Sequence, residues 1–242
     1  PLPVWEKYHS GRTTDRDLVA DLITALKKRG IQFFMYMHIP NTVTPSPVYE
    51  SGFNFSNDEM QRIIDQEKFV DKMCEIFTEI GNRYGRGLCG YWLDGWQLSI
   101  LKYGIDPTER VYRATKIGNP DRLTSFGFGV RCPTHSPWTD YACGETRVIG
   151  QLPVNGKYPR GQNKDLPYHS ILVLDDDWWH DAYDNPIAEP QYTADQLAHY
   201  LIACRRLGGL VSINTAVYQD GSVSENTLSV MKQTARLVYG KD

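Results

Sequence analysis

Two carboxylates stand where hydrolytic chemistry could be done. Asp94 closes an apolar run in Tyr91-Trp92-Leu93-Asp94-Gly95-Trp96. A carboxylate between two indoles at the end of a hydrophobic strand is costly to bury unless something pairs with it. Glu145 ends the segment Asp140-Tyr141-Ala142-Cys143-Gly144-Glu145 and precedes an irregular stretch rich in Pro and Gly. A strand-end carboxylate facing a carboxylic acid on a loop is the arrangement glycosidases use. One group attacks the anomeric carbon and the other protonates the leaving oxygen. Each residue also has a plainer reading, Asp94 as a helix cap and Glu145 as a solvated loop side chain.

Other polar groups could line such a site. Tyr36 and His38 lie at the end of an apolar run, and either could give a hydrogen bond to substrate. Asp175-Asp176-Asp177-Trp178-Trp179 follows another apolar run. Three adjacent carboxylates repel, so at least one must face water, a cation or a donor. A hard cation is one reading, although the spacing fits no EF-hand loop. The preferred reading has Asp177 accepting from sugar hydroxyls while indoles stack on the sugar face, with Trp92, Trp96, Trp178 and Trp179 as candidates. Arg122 and Arg131 bracket a further strand and could neutralise a carboxylate or bind an anionic sugar. No GxSxG marks a serine nucleophile. No GxGxxG or P-loop marks a nucleotide site. No cofactor and no metal is called for.

Positioning these residues requires alternating elements. The periodicity predicts helices over 15–29, 58–84, 194–207 and 224–239. Leu18, Leu22, Ile23, Ala25 and Leu26 form the stripe of the first, and Phe69, Met73, Ile76, Phe77 and Ile80 face inward in the second. Strands are expected at 31–37 (IQFFMYM), 88–94 (LCGYWLD), 121–129, 169–174 (HSILVL) and 210–214 (LVSIN), with a short one at 139–143. Repeated βα units of this kind indicate an α/β protein built as a (β/α)8 TIM-type barrel, whose active site gathers at the C-terminal ends of the strands. About six strands are visible where the closed barrel needs eight, so the chain is expected to begin about two strands late.

Composition narrows the class. With 242 residues, 41% hydrophobic and 23% charged, the chain is an ordinary globular protein. A net charge of −3 and the lack of a basic run argue against a nucleic-acid partner. No apolar stretch is long enough for a membrane span. Five cysteines without a CxxC make a zinc or redox motif unexpected. Cys132 and Cys143 share one loop-rich stretch and could pair.

Together these segments resemble the retaining α-L-fucosidases, the family-29 glycoside hydrolases. Tyr91-Trp92-Leu93-Asp94-Gly95 resembles the family's Trp-(Phe/Leu)-Asp-Gly strand. Asp140-Tyr141 through Gly144-Glu145 is similar to its Asp-aromatic-x-x-Pro-Glu segment, with Gly144 in place of Pro. Asp177-Trp178-Trp179 resembles its Ser-Trp-Gly-Tyr region, and Gly208-Gly209-Leu210-Val211-Ser212-Ile213-Asn214 followed by Asp220-Gly221 resembles its Gly-Gly-Asn…Asp-Gly signature. The resemblance implies a single catalytic barrel domain over 1–242, with Asp94 as nucleophile and Glu145 as acid/base. It implies a retaining exo-glycosidase that removes a terminal fucose or a related deoxy or sulfated sugar, and it favours a secreted or periplasmic location. The family's His-Trp pair and Lys-His-His-Asp-Gly segment do not occur here. Met37-His38-Ile39-Pro40 also departs from the family's usual continuation. A second segment or chain supplying the missing strands is therefore one expectation. A carbohydrate-binding pseudo-enzyme on the same barrel is the alternative function.

Overall fold

A computed structural model describes residues 2–38, 69–95, 108–127, 137–142, 144–157, 165–175, 177–180 and 185–240. They fall into two compact units, one formed by 1–129 with 134–141 and the other by 130–133 with 142–242.

The first unit holds three parallel strands in the order β1-β2-β3: β1 (Phe33–His38), β2 (Leu88–Asp94) and β3 (Leu123–Phe126). Its helices are α1 (Pro3–Tyr8), α2 (Leu18–Lys27), α3 (Phe69–Tyr84) and α4 (Thr108–Thr115). Residues 58–68 of the long expected helix lie outside the described residues; α1 and α4 were not expected. In α3, the predicted Met73, Ile76, Phe77 and Ile80 are all buried, against Tyr91, Leu93 and Phe126 of the sheet. Each such side chain contributes about 1.5–3 kcal/mol. The apolar stripe of α2 behaves differently: the helix has no buried residue, and Leu18 and Leu22 are half exposed.

β1 and β2 pair in parallel with Tyr36 beside Trp92 and His38 beside Asp94. The register skips Cys89, going from Phe33–Leu88 to Phe34–Gly90. That one-residue shift returns Tyr91 and Leu93 to the helix-packed face and turns Gly90, Trp92 and Asp94 to the other. Gly90 is required: a Cβ there would stand 2.1 Å from the Phe34 ring.

Arg122 is fully buried and is not a ligand group. Its guanidinium donates to four carbonyls: Leu88 at 2.9 Å, Thr115 at 2.6 Å, Ile117 at 2.8 Å and Gly85 at 2.8 Å. It also lies over the Tyr91 ring at 5.4 Å. In place of the anion-binding or surface role that its position allowed, it has a structural one, joining the ends of α3 and α4 to the start of β2. Residues 139–141 do not form the expected strand. Asp140 instead fastens the segment beside β3, accepting from Thr124 N at 2.7 Å, Lys116 Nζ at 2.5 Å and Tyr112 OH at 2.7 Å.

The second unit pairs β4 (His169–Val173) in parallel with β5 (Leu210–Asn214). Helices α5 (Ala194–Arg206) and α6 (Glu225–Tyr239) pack there around Leu172, Leu174, Leu197 and Tyr200. A capping box of Thr193 and Gln196 starts α5, and Ser224 caps α6. Five strands therefore appear among the described residues, and no described helix is long and apolar enough to cross a membrane. The architecture is α/β with parallel sheets. Cys132 and Cys143 lie outside the described residues.

His169 is buried between Ala142 O, 3.1 Å from Nδ1, and Ser212 Oγ, 2.9 Å from Nε2. A carbonyl can only accept, so Nδ1 carries the proton of the neutral ring and Nε2 accepts from the serine. Burial pushes this histidine down to about 4.

Two outcomes follow from these buried groups. Arg122→Met leaves four carbonyls without their donor, and urea unfolding should show a loss of about 3 kcal/mol or more. His169 has a folded-state pKa below its unfolded value, so the unfolded chain takes up the proton first as pH falls. Its contribution to stability is complete above about pH 6.5 and is lost toward pH 4, amounting to up to about 3 kcal/mol. Thermal unfolding across that window should show the decline, and His169→Asn should flatten it.

Candidate functional site

At the C-terminal end of β2, the Asp94 carboxylate is held at both oxygens. Oδ2 accepts from the Tyr36 hydroxyl at 2.7 Å, and Oδ1 accepts from the Gly95 amide at 2.7 Å. Gly95 has φ +73°, the left-handed conformation that favours glycine and here turns its N–H back onto the carboxylate. Hydrogen bonds to an ionised acceptor are the stronger kind, and two of them fix the rotamer of this half-buried side chain. The sequence predicts the carboxylate at the strand end. The hydroxyl that holds it comes from the neighbouring strand and is set by pairing.

His38 is the direct register partner of Asp94 and is half-buried. Burial holds its ring below the usual imidazole range, against the opposing pull of the Asp94 charge. Trp92 lies two residues before Asp94 on the same face. Its ring meets that of Tyr36 edge-on, with centroids 5.9 Å apart and planes at 69°. Tyr36 remains 56% exposed. On the β3 side, a Cβ at Gly127 would come within 3.3 Å of Asp94 Oδ1, so a side chain there would crowd the carboxylate. The fold thus brings together four of the expected residues, Tyr36, His38, Trp92 and Asp94, around one carboxylate. Trp96 and Arg131 lie outside the described residues.

Glu145 belongs to the second unit and is half-buried. Its segment runs beside β4 with one residue too many. Ile171 N donates to Gly144 O at 2.7 Å, while Arg147 N donates to Ile171 O at 2.8 Å. A regular parallel ladder would place a single residue between those two bonds. Here both Glu145 and Thr146 stand opposite Ile171, which makes a bulge. Thr146 Oγ1 is 2.6 Å from Ser170 Oγ and donates to Ile171 O at 3.1 Å, tying the bulge down. Arg147 completes it with φ +64° before rejoining the register opposite Leu172.

That conformation costs a non-glycine residue about 1–2 kcal/mol. The Arg147 guanidinium bonds Asp177 Oδ1 and lies 5.0 Å over the Trp178 ring. Both partners of the ion pair are substantially exposed, and such pairs return only about 0–1 kcal/mol. Asp177 Oδ1 also accepts from Trp178 N at 2.9 Å, and Asn214 Nδ2 donates to Asp177 O at 3.3 Å. Trp179 is 58% exposed. Arg147 was missed in the sequence because a left-handed arginine has no motif.

The aspartate triplet does not act as one cluster. Asp175 is buried and accepts from Ala216 N at 2.8 Å and Thr227 Oγ1 at 2.8 Å, tying the chain after β5 to the first turn of α6. Asp177 turns outward to Arg147. Asp176 lies outside the described residues. Among the described residues no group of three or more metal-ligating side chains is gathered. Asp175 and Asp177 are engaged by different partners, one inside the second unit's core and the other at its surface.

Comparisons with known proteins bear on the fold and the family. The endo-fucoidan hydrolase MfFcnA9 of glycoside hydrolase family 107 superposes with a TM-score of 0.68 at 16% identity, covering 97% of this chain and 53% of that one. The α-L-fucosidase AlfC from Lactobacillus casei, solved with its α-L-fucose product, gives 0.60 at 15% identity, covering 92% and 65%. An α-L-fucosidase GH29 from Bacteroides thetaiotaomicron, trapped as a covalent intermediate, gives 0.66 at 18% identity, covering 98% and 55%. At these identities the likeness is one of fold, and the chain spans about half to two thirds of the length of each structure. None of these similarities supports the expected second segment or chain. No curated protein matches the sequence. The family model described as alpha-L-fucosidase matches residues 4–239, nearly the whole chain, and the protein belongs to that family.

Proposed function

We propose that the chain forms a single (β/α)8-type catalytic domain of a retaining exo-glycosidase, which removes a terminal fucose or a related deoxy or sulfated sugar. The observation that carries this reading is the Asp94 carboxylate, fixed at a strand end between the Tyr36 hydroxyl and the Gly95 amide. Parallel strands in sequence order with their polar groups at C-terminal ends support the barrel reading. Family membership supports the sugar, and the GH29 neighbour trapped as a covalent intermediate supports retention.

In this reading Asp94 attacks the anomeric carbon and forms a glycosyl ester. Glu145 donates its proton to the departing glycosidic oxygen, then takes one from the water that cleaves the ester. The two hydrogen bonds on Asp94 hold its attacking geometry before substrate arrives, which removes orientational entropy from the barrier. Tyr36, His38 and Trp92 line the fucose side, with Trp96 and Arg131. Asp177, Trp178 and Trp179 supply an acceptor and stacking surfaces.

Release of nitrophenol from an aryl α-L-fucoside tests the activity. Asp94→Asn should abolish nearly all turnover with an unchanged circular dichroism spectrum. A 2-fluoro-fucosyl fluoride should label the Asp94 peptide in the mass spectrum. An inverted product by proton NMR would refute retention, and release of oligosaccharides instead of monosaccharide would refute exo-action. Glu145→Gln should slow disaccharides far more than an activated aryl fucoside, whose leaving group needs no proton. Sugar binding without turnover in the unaltered chain would favour the pseudo-enzyme.

A further inference from the structure

The bulge that carries Glu145 also holds a strained arginine. Arg147 is strained in its backbone, and its exposed ion pair does not repay that strain in stability. Persistent strain of this kind concentrates where geometry serves binding or chemistry. Its backbone is bonded to β4 at both its N–H and its C=O, by Arg147 N to Ile171 O at 2.8 Å and by Val173 N to Arg147 O at 3.0 Å. Its guanidinium is oriented before any ligand arrives, over the Trp178 ring and bonded to Asp177.

We propose that Arg147, held by Asp177 against Trp178, is a specificity-determining residue that grips the sugar on the leaving-group side of the scissile bond. The inference rests on the reading of Glu145 as the acid/base group. That group must touch the glycosidic oxygen, which departs with the leaving sugar. Arg147 is two residues farther along the same pinned segment, at most about 7 Å of chain, a distance on the scale of one sugar ring.

The chemistry selects the ligand. The free guanidinium N–H groups donate to ring and hydroxyl oxygens, and the second Asp177 oxygen accepts from a hydroxyl. A donor fork and an acceptor side by side match the neighbouring hydroxyls of a pyranose. The indole of Trp178 and the exposed indole of Trp179 offer faces for its C–H groups. Because Asp177 neutralises Arg147, the pair suits a neutral hexopyranose over an anionic one.

Arg147→Gly provides the test, because glycine adopts the left-handed conformation freely. Specificity is read as the ratio of kcat/KM on a fucosyl disaccharide to kcat/KM on an aryl fucoside, which carries no second sugar. That ratio should fall about 10- to 100-fold, the loss expected when hydrogen bonds from a charged donor are removed. The melting temperature should hold or rise. Arg147→Lys keeps the charge but loses the fork and the stacking, and should lower the ratio similarly. A ratio within twofold of the unaltered chain in both variants overturns the proposal. If the unaltered chain cleaves neither substrate, the glycosidase reading fails by itself. Calorimetric titration with the disaccharide then decides the subsite: weaker binding by Arg147→Gly supports it, and equal binding overturns it.

Discussion

The arrangement around Asp94 depends on the parallel register between β1 and β2. Side chains alternate faces along a strand, so a slip of one residue would send Asp94 toward the helices and bring Leu93 to the polar end. The skipped Cys89 sets that parity, and the absence of a side chain at Gly90 lets Phe34 lie across the neighbouring strand. Tyr36 can reach the carboxylate only because these two local features agree.

Much of the buried polarity serves architecture. Arg122 holds four carbonyls at the junction of α3, α4 and β2, while Asp140 fastens a loop to β3. Asp175 joins the end of β5 to α6, and His169 bridges a loop carbonyl to β5. Each ties together segments near the ends of strands, and each is expensive to leave unsatisfied. Such groups resemble site residues in a sequence, since both kinds are polar and lie near strand ends. What separates them is the partner: structural groups bond to backbone or to each other out of solvent, whereas Tyr36 and Arg147 remain accessible.

In the second unit, a single extra residue beside β4 re-aims the segment that carries Glu145. Regular pairing would have given Glu145 a fixed side by alternation. The bulge removes that constraint and replaces it with the Thr146 hydrogen bonds and the left-handed Arg147. The local backbone is less favourable, yet the Arg147 side chain on this short segment gains a fixed position.

The periodic segments were legible in advance. The inward face of α3, the runs that became β2, β4 and β5, and the strand-end place of Asp94 all follow from hydrophobic spacing, which local sequence encodes directly. So did the family resemblance, through short motifs at the strand ends. The roles of Arg122 and Asp175, the loop at 139–141 and the half-exposed stripe of α2 did not follow. Each depends on which distant group lies alongside, and a residue's type does not specify its neighbour. Sequence by itself determined the elements and the residue types at their ends. Tertiary structure decided which hydroxyl holds Asp94 and which arginine bears strain, because hydrogen bonds across strands are fixed by register and bulges, and those emerge only when the chain packs.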